Sequence, residues 1–253
     1  MQFPVFVNLL KLHLPLHAVT ETLGMFIGFR YFLYLRRKQG DTVPQGNRIW
    51  AIIGAIFGAL FGSRILGALE NPPALLNTDN IIFFIYQHKT IVGGLLGGLI
   101  GVELTKKMIG EKHSTGDLFV YPLILAIIIG RIGCFSMGVY EETYGIPTTL
   151  PWGMYLGDAY PRHPVALYEI VFLVALWVAL AAISSRYRLV SGGRFKLFMI
   201  AYLLFRFLLD FIKPGFRFSF GLGSIQIACL LGLLYYAPTI LFPKRLIQKS
   251  IYA

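Results

Sequence analysis

The run DLFVYPLILAIIIGRIGCFSM, residues 117–137, is apolar enough to lie in a membrane, yet it contains Arg131. An arginine in hydrocarbon costs at least about 2.5–3.5 kcal/mol on insertion scales, so it needs an anionic partner or a wet cavity. The loop over residues 138–162 follows this run, and His163 comes next. The charged residues of this loop are Glu141, Glu142, Asp158 and Arg162. The sequence therefore predicts a functional site whose mouth is formed by this loop.

The composition is that of a membrane protein. Of 253 residues, 56% are hydrophobic and 14% are charged, and the mean hydropathy is +0.67. Apolar stretches near the length of a bilayer span recur, which excludes an ordinary soluble domain and predicts one integral-membrane domain over residues 1–253. The formal net charge is +11, but the basic residues fall in short links between apolar runs. That placement is typical of the positive-inside pattern and argues against a nucleic-acid partner.

Seven apolar stretches predict an all-α polytopic fold with about seven transmembrane helices. Six of them cover residues 18–35, 49–69, 118–137, 164–183, 197–212 and 222–241, and another begins near Thr90. Before them, residues 1–17 hold two prolines and scattered polar groups, which favours a short interfacial helix or an extended segment.

The basic residues predict the orientation of the chain. Links after the first, third, fifth and seventh stretches collect Lys and Arg, including Lys249 after the last. The N-terminus is therefore predicted outside and the C-terminus in the cytoplasm. In this arrangement seven polar residues lie near the outer ends of their spans: Glu21, Arg64, Arg131, His163, Glu169, Arg206 and Asp210.

Three arginines at one depth, Arg64, Arg131 and Arg206, predict an anion site, because guanidinium binds phosphate bidentately and stays charged. In an outer leaflet the abundant anion with an apolar tail is a phospholipid. The alternative for each arginine is a buried ion pair that fixes helix packing. The carboxylates near them either orient the arginines or act as a base.

Other residues leave two interpretations open. His163 is a site residue or the cap of the fifth span. Cys134 is a nucleophile activated by a nearby cation or a small buried thiol. Arg206 and Asp210 have the i,i+4 spacing of a helical pair.

The glycines and cysteines of the chain carry further predictions. Glycines recur at every fourth residue from Gly54 to Gly62 and from Gly93 to Gly101, which indicates close helix packing or a backbone-lined substrate cleft. The two cysteines, Cys134 and Cys229, lie in apolar runs, so neither a disulfide framework nor a CxxC-type metal site is expected.

Several short motifs in order resemble those of the bacterial prolipoprotein diacylglyceryl transferase family, over most of the chain. The motifs are Gly62-Ser63-Arg64-Ile65, Gly93-Gly94-Leu95, Gly130-Arg131-Ile132-Gly133, Tyr144-Gly145, Arg162-His163-Pro164, Leu167-Tyr168-Glu169, and Tyr202 with Phe205-Arg206.

The resemblance implies transfer of the diacylglyceryl group of phosphatidylglycerol to the lipobox cysteine thiol of a preprolipoprotein, with release of glycerol phosphate. It implies a site facing the outer leaflet of the bacterial inner membrane, and neither a metal nor a cofactor. The catalytic residues it suggests are Arg131, Arg206, Glu142, Tyr202 and His163. The residues it suggests for binding the phosphate and the substrate are Arg64, Arg131, Arg206, Gly93, Gly94, Gly145 and Glu21.

The chain also departs from the family pattern. Cys134 stands where the family has Asn, Val92 replaces a histidine before Gly93, and Glu21 aligns with a tyrosine. The segment Met137–Gly145 is longer than usual. The lost histidine leaves the acceptor thiol without its expected base, for which His163, Glu21 or Glu142 are candidates.

These departures keep three alternatives open beside the standard reaction. The first is transfer of the diacylglyceryl group to another thiol or hydroxyl acceptor. The second is a non-catalytic protein that binds or moves phospholipid. The third is an unrelated transporter, although paired halves with interrupted helices are not evident in the sequence.

Overall fold

The computed structural model describes residues 3–9 and 12–248. Within them the chain is mainly helical, with two short antiparallel hairpins. Residues 1, 2, 10 and 11 of the predicted N-terminal segment, and Lys249 of the last basic link, lie outside the described residues.

Apart from four short 3₁₀ helices, ten α-helices and four short strands make up the regular structure of the described residues. In chain order they are β1 (Phe6–Leu9), β2 (Leu12–Pro15), α1 (Leu16–Gln39), α2 (Gln45–Ala68), α3 (Pro72–Leu76), α4 (Ile81–Gln87), α5 (Ile91–Ile109), α6 (Val120–Met137), β3 (Met154–Tyr155), β4 (Pro161–Arg162), α7 (Val165–Arg186), α8 (Gly193–Leu209), α9 (Ser224–Tyr235) and α10 (Ala237–Leu241).

Three helical segments of the described chain are long and apolar enough to cross a membrane. They are Gln45–Ala68, Asp117–Tyr140, which includes α6 and its flanking 3₁₀ turns, and Val165–Arg186. They correspond to the second, fourth and fifth predicted spans, and they confirm the prediction of a helical membrane protein. The total of seven spans and the orientation of the termini stay predictions.

Part of the N-terminal segment, predicted as a short interfacial helix or an extended segment, is extended. Phe6–Leu9 and Leu12–Pro15 form the antiparallel hairpin β1–β2, in which Asn8 pairs with His13. The stretch predicted as the seventh span is divided at Tyr236 into α9 and α10. Pro238 explains the division, because it has no N–H to donate to the carbonyl of Leu234 four residues earlier.

The described chain forms two compact units. The first takes the residues up to Gly40, with Leu118–Arg188 and Phe211–Pro214. The second takes Asp41–Asp117, Leu189–Asp210 and the residues from Gly215 onward.

In the first unit, α1 packs against α6 through glycines. A Cβ added to Gly24 would lie 2.8 Å from the carbonyl oxygen of Ala126. One added to Gly133 would lie 2.0 Å from Thr20 Oγ1 and 2.9 Å from His17 Cα. The missing side chain at Gly133 therefore lets the first turns of α1 contact the end of α6.

In the second unit, α2 packs against α5 in the same way. A Cβ on Gly58 would lie 2.2 Å from the carbonyl oxygen of Gly97, and one on Gly97 would lie 2.2 Å from that of Gly58. Thr90 caps α5, since its hydroxyl accepts a hydrogen bond from the N–H of Gly93 at 3.1 Å. The predicted close packing of these glycine-containing helices is confirmed.

A buried arginine holds the start of α2. Arg48 is 2% exposed, and its Nε and Nη2 donate to the carboxylate of Asp41 at 2.8 and 2.5 Å. Its Nη1 donates to the carbonyl oxygen of Thr115 at 2.8 Å. The basic residue that ends the first hydrophilic link thus closes a loop by a bidentate ion pair.

The glycine packing predicts different effects for two neighbouring substitutions. We expect Gly97→Ala to destabilise the protein by about 1–3 kcal/mol, because the methyl group would overlap with the backbone of α2. Gly98→Ala is the matched control, since its nearest neighbour would be the carbonyl oxygen of Ala55 at 3.5 Å. Thermal unfolding of both variants in detergent measures the difference. Equal melting temperatures would contradict this account.

Candidate active site

Arg131, on α6, has a buried carboxylate partner. Its Nη2 lies 2.9 Å from Glu169 Oε2 on α7, and the two side chains are 9% and 1% exposed. Helix α7 therefore supplies the anionic partner that an arginine in the apolar helix α6 requires. The buried ion pair that the sequence left as an alternative is present, and it joins two helices.

Cys134 lies one helical turn after Arg131 and contacts it. Arg131 Nη1 donates to Cys134 Sγ at 3.5 Å. The thiol is half-buried, whereas Cys229 is fully buried. The interpretation as a small buried thiol therefore fits Cys229 and not Cys134.

A histidine near the start of α1 brings three further groups together. His17 Nδ1 lies 2.7 Å from Glu141 Oε2, and His17 Nε2 lies 3.6 Å from Glu21 Oε2. The ligand atoms of His17, Cys134 and Glu141 all lie within 4.8 Å of one another. We call His17, Glu21, Cys134 and Glu141 the His17 cluster. It combines an imidazole, a thiol and two carboxylates, which can exchange protons or coordinate a cation.

The N-terminal hairpin positions the His17 cluster. The N–H of Val5 donates to the carbonyl oxygen of Ser136 at 2.9 Å, and the N–H of Leu16 donates to that of Val5 at 2.9 Å. These bonds attach the start of α1 to the end of α6, where Gly133 leaves room for it. The imidazole consequently lies against the turn that carries Cys134.

Sequence reasoning missed His17 because it was assigned to an N-terminal interfacial segment. One signal was available, since His17 and Glu21 have the i,i+4 spacing that places two side chains together on a helix. Of the two adjacent loop carboxylates, the sequence favoured Glu142 as a catalytic residue. Glu142 is exposed, and Glu141 is the one that reaches the imidazole.

Arg162 organises the loop of residues 138–162. Its Nε and Nη2 contact Asp158 Oδ2 at 2.8 and 2.6 Å, and its Nη1 donates to the carbonyl oxygen of Gly145 at 3.2 Å. The guanidinium also lies over the ring of Tyr144, 4.9 Å from its centre. This ion pair holds the pKa of Asp158 below its usual range. The basic residue of the Arg162-His163 motif thus has a structural role in the loop.

Gly145 and His163, both predicted as site residues, lie side by side. The N–H of Gly145 donates to the carbonyl oxygen of His163 at 3.1 Å, and a Cβ on Gly145 would lie 2.5 Å from His163 Cβ. His163 Nδ1 lies 3.1 Å from the hydroxyl of Tyr168. The side chain of His163 therefore contacts a residue of the first turns of α7, and the prediction that it caps this helix is wrong, since Pro164 is the N-cap.

The other predicted site residues belong to the second unit. Arg206 on α8 is 5% exposed, and Tyr202, one turn earlier, is fully buried. Arg64 donates to the carbonyl oxygen of Tyr86 and lies over its ring, 4.9 Å from the centre.

Gly93 and Gly94 differ in how closely they are packed. A Cβ on Gly93 would lie 2.3 Å from the carbonyl oxygen of Gly62, whereas one on Gly94 would lie 3.8 Å from Ser63 Cβ. Helix packing therefore accounts for Gly93, and the substrate-binding role of both glycines stays a prediction.

The buried pair of Arg131 and Glu169 predicts a clear pattern of stabilities. We expect Glu169→Leu to destabilise the protein by about 3–5 kcal/mol, because it leaves a buried charge uncompensated. Replacing both residues, as Arg131→Met with Glu169→Leu, is expected to recover much of that loss. The exposed Glu142→Gln serves as the control. Melting temperatures in detergent test this pattern. A Glu169→Leu variant as stable as the Glu142→Gln control would refute the pairing.

The chain is similar to known proteins over nearly its full length. A family model described as prolipoprotein diacylglyceryl transferase matches residues 4–242. The phosphatidylglycerol–prolipoprotein diacylglyceryl transferase of Nitratidesulfovibrio vulgaris (strain DSM 19637 / Miyazaki F) is 37% identical over 187 residues, which are 70% of this chain and 69% of that protein. The protein of the same name from Bordetella parapertussis is 32% identical over 248 residues, 90% of this chain and 88% of that one. The one from Zymomonas mobilis is 27% identical over 255 residues, 95% and 86% of the two chains.

Proposed function

Because the chain belongs to the prolipoprotein diacylglyceryl transferase family, we propose that it transfers the diacylglyceryl group of phosphatidylglycerol to the lipobox cysteine of a preprolipoprotein. The observation that carries this proposal is the buried arginine of α6, held by Glu169 and directly followed by a cluster able to handle a thiol. We place the reaction in the bacterial inner membrane. In the predicted seven-span topology the site faces the outer leaflet.

The reaction exchanges one bond of the glycerol for another. The acceptor sulfur attacks the glycerol carbon next to the phosphate, the carbon–oxygen bond to that phosphate breaks, and glycerol phosphate leaves. The thiol proton must be removed, and negative charge grows on the leaving phosphate. The protein therefore needs a fixed cation that binds the phosphate and a group that accepts the thiol proton.

Arg131 has the properties required of the fixed cation. Arginine stays protonated at any working pH, and the carboxylate of Glu169 holds its guanidinium in one orientation. A preoriented charge stabilises the transition state without reorganising during the reaction. We propose that Arg131 binds the leaving phosphate. The roles of the buried Arg206 and Tyr202 of α8 stay predictions drawn from the family resemblance.

The His17 cluster is our candidate for the acceptor side of the reaction. The family's histidine is replaced by Val92, and of the three candidates for a replacement base, Glu142 is exposed and His163 contacts Tyr168. Glu21, the third, lies beside His17. We therefore propose that the acceptor thiol binds at the His17 cluster.

A direct assay tests the proposal. Purified protein in detergent is given labelled phosphatidylglycerol and a lipobox peptide, and lipidated peptide and free glycerol phosphate are measured. We expect both products from the wild type, and at least about a 100-fold loss of rate in Arg131→Ala, the size seen when one transition-state donor is removed. Arg188→Ala, at an exposed position outside the proposed site, is expected to keep the wild-type rate.

Other outcomes separate the alternatives. Glycerol phosphate without lipidated peptide would indicate hydrolysis or a different acceptor. Bound lipid with neither product would indicate a protein that binds or moves phospholipid. An Arg131→Ala variant with wild-type turnover would remove Arg131 from the mechanism.

A further inference from the structure

We propose that His17, Cys134 and Glu141 form a zinc site at the end of α6, with Glu21 orienting the imidazole. The ligand atoms of the three residues lie within 4.8 Å of one another, and the closest pair, His17 Nδ1 and Glu141 Oε2, is 2.7 Å apart. Zinc bonds of about 2.0–2.3 Å at tetrahedral angles place ligand atoms about 3.3–3.8 Å apart. The 2.7 Å separation is shorter than this range and the 4.8 Å limit is longer, so small side-chain rotations would close the site on an ion.

The donor set is the one that zinc prefers. Imidazole nitrogen, thiolate sulfur and carboxylate oxygen are its usual protein ligands, whereas Mg²⁺ and Ca²⁺ take oxygen alone. Each of the three residues comes from a different segment: the start of α1, the end of α6 and the loop after it. Ligands from separate segments that converge on one point are what a metal site requires.

The second carboxylate supplies independent support. Glu21 Oε2 lies 3.6 Å from His17 Nε2, the ring nitrogen opposite the one that faces Glu141. Histidines that bind metals commonly donate their other ring N–H to a carboxylate, which fixes the tautomer and directs the free nitrogen to the ion. Glu21 lies on that side of the His17 ring, at ion-pair distance and beyond hydrogen-bond length.

Charged groups surround the site. The described contacts bring the carboxylates of Glu21, Glu141 and Glu169 together with the guanidinium of Arg131. Arg131 Nη1 lies 3.5 Å from Cys134 Sγ and is oriented as a donor to the sulfur, an arrangement compatible with a metal-bound thiolate.

Three protein ligands leave one tetrahedral position open, as in catalytic zinc sites. If the proposed function holds, the acceptor thiol is the natural fourth ligand, because a thiol that coordinates zinc is deprotonated. Its proton passes to water, the sulfur bonds to the glycerol carbon, and the phosphate leaves with the electrons of the broken carbon–oxygen bond. The metal site would then activate the acceptor thiol in place of the family's histidine, at whose position this chain has Val92. This departs from the expectation, drawn from the family resemblance, that no metal takes part.

The experiment uses the full chain in detergent without a polyhistidine tag, stripped with a chelator and titrated with Co²⁺. We expect one cobalt per chain and a thiolate-to-cobalt charge-transfer band in the absorption spectrum. Cys134→Ser is expected to lose the band, and Cys229→Ser, at the second cysteine, is expected to keep it. Glu21→Gln is expected to keep the band with about 10–100-fold weaker binding.

Clear results would overturn the proposal. The proposal is refuted if the protein binds no cobalt, or if the thiolate-to-cobalt charge-transfer band persists in Cys134→Ser. Because a variant can fail to fold, elution as a single species is required of each one. In addition, Zn²⁺ must slow alkylation of Cys134 by a maleimide in the wild-type protein, and unchanged alkylation would also refute the site.

The role in catalysis is tested separately from the site. Chelation is expected to abolish transfer to the lipobox peptide, and Zn²⁺ is expected to restore it. Metal binding with transfer that survives chelation would refute the role in activating the thiol and leave the site in place. Metal binding without any transfer would refute the proposed function and not the site.

Discussion

Helices in both units approach each other so closely at glycines that a Cβ would overlap with the partner helix. In the second unit the carbonyl oxygens of Gly58 and Gly97 occupy the space in which the partner's side chain would lie. In the first unit the missing side chain of Gly133 leaves a space on α6. The Thr20 hydroxyl and the His17 backbone of α1 occupy that space. Lipid provides no hydrophobic drive between helices, so backbone contact of this kind is a main source of their association.

The close approach at Gly133 has a chemical consequence. It places the first turns of α1 against the last turns of α6, and the N-terminal hairpin holds them there through backbone hydrogen bonds. The imidazole of His17 thereby reaches the loop carboxylate of Glu141 and the thiol of Cys134. A glycine that serves packing also assembles the candidate site.

The buried charges depend on one another. Arg131 is tolerated in an apolar helix because Glu169, on α7, compensates it, and the same guanidinium donates to the sulfur of Cys134. Structural and chemical roles therefore coincide in one side chain. The family resemblance places Val92 where a histidine is expected and Cys134 where an asparagine is expected. We propose the His17 cluster, with Cys134 among its members, as the groups that handle the thiol.

The sequence alone determined the membrane class, the main helices, the close glycine packing and the need of Arg131 for an anionic partner. These follow from local composition and spacing: apolar length sets a span, a four-residue repeat sets one helix face, and a charge in hydrocarbon must be compensated. The motifs that carry the family resemblance are likewise short and local, so they could be recognised in the sequence.

Only the tertiary structure decided which groups meet. That Arg131 pairs with Glu169, that Glu141 and not Glu142 contacts His17, and that Cys134 joins them depend on segments far apart in the chain. The division of the last apolar stretch at Tyr236 and the β1–β2 hairpin were also settled there. The physical reason is that hydropathy and periodicity describe one helix or strand at a time. A site is defined by distances between elements, and those distances are set by packing.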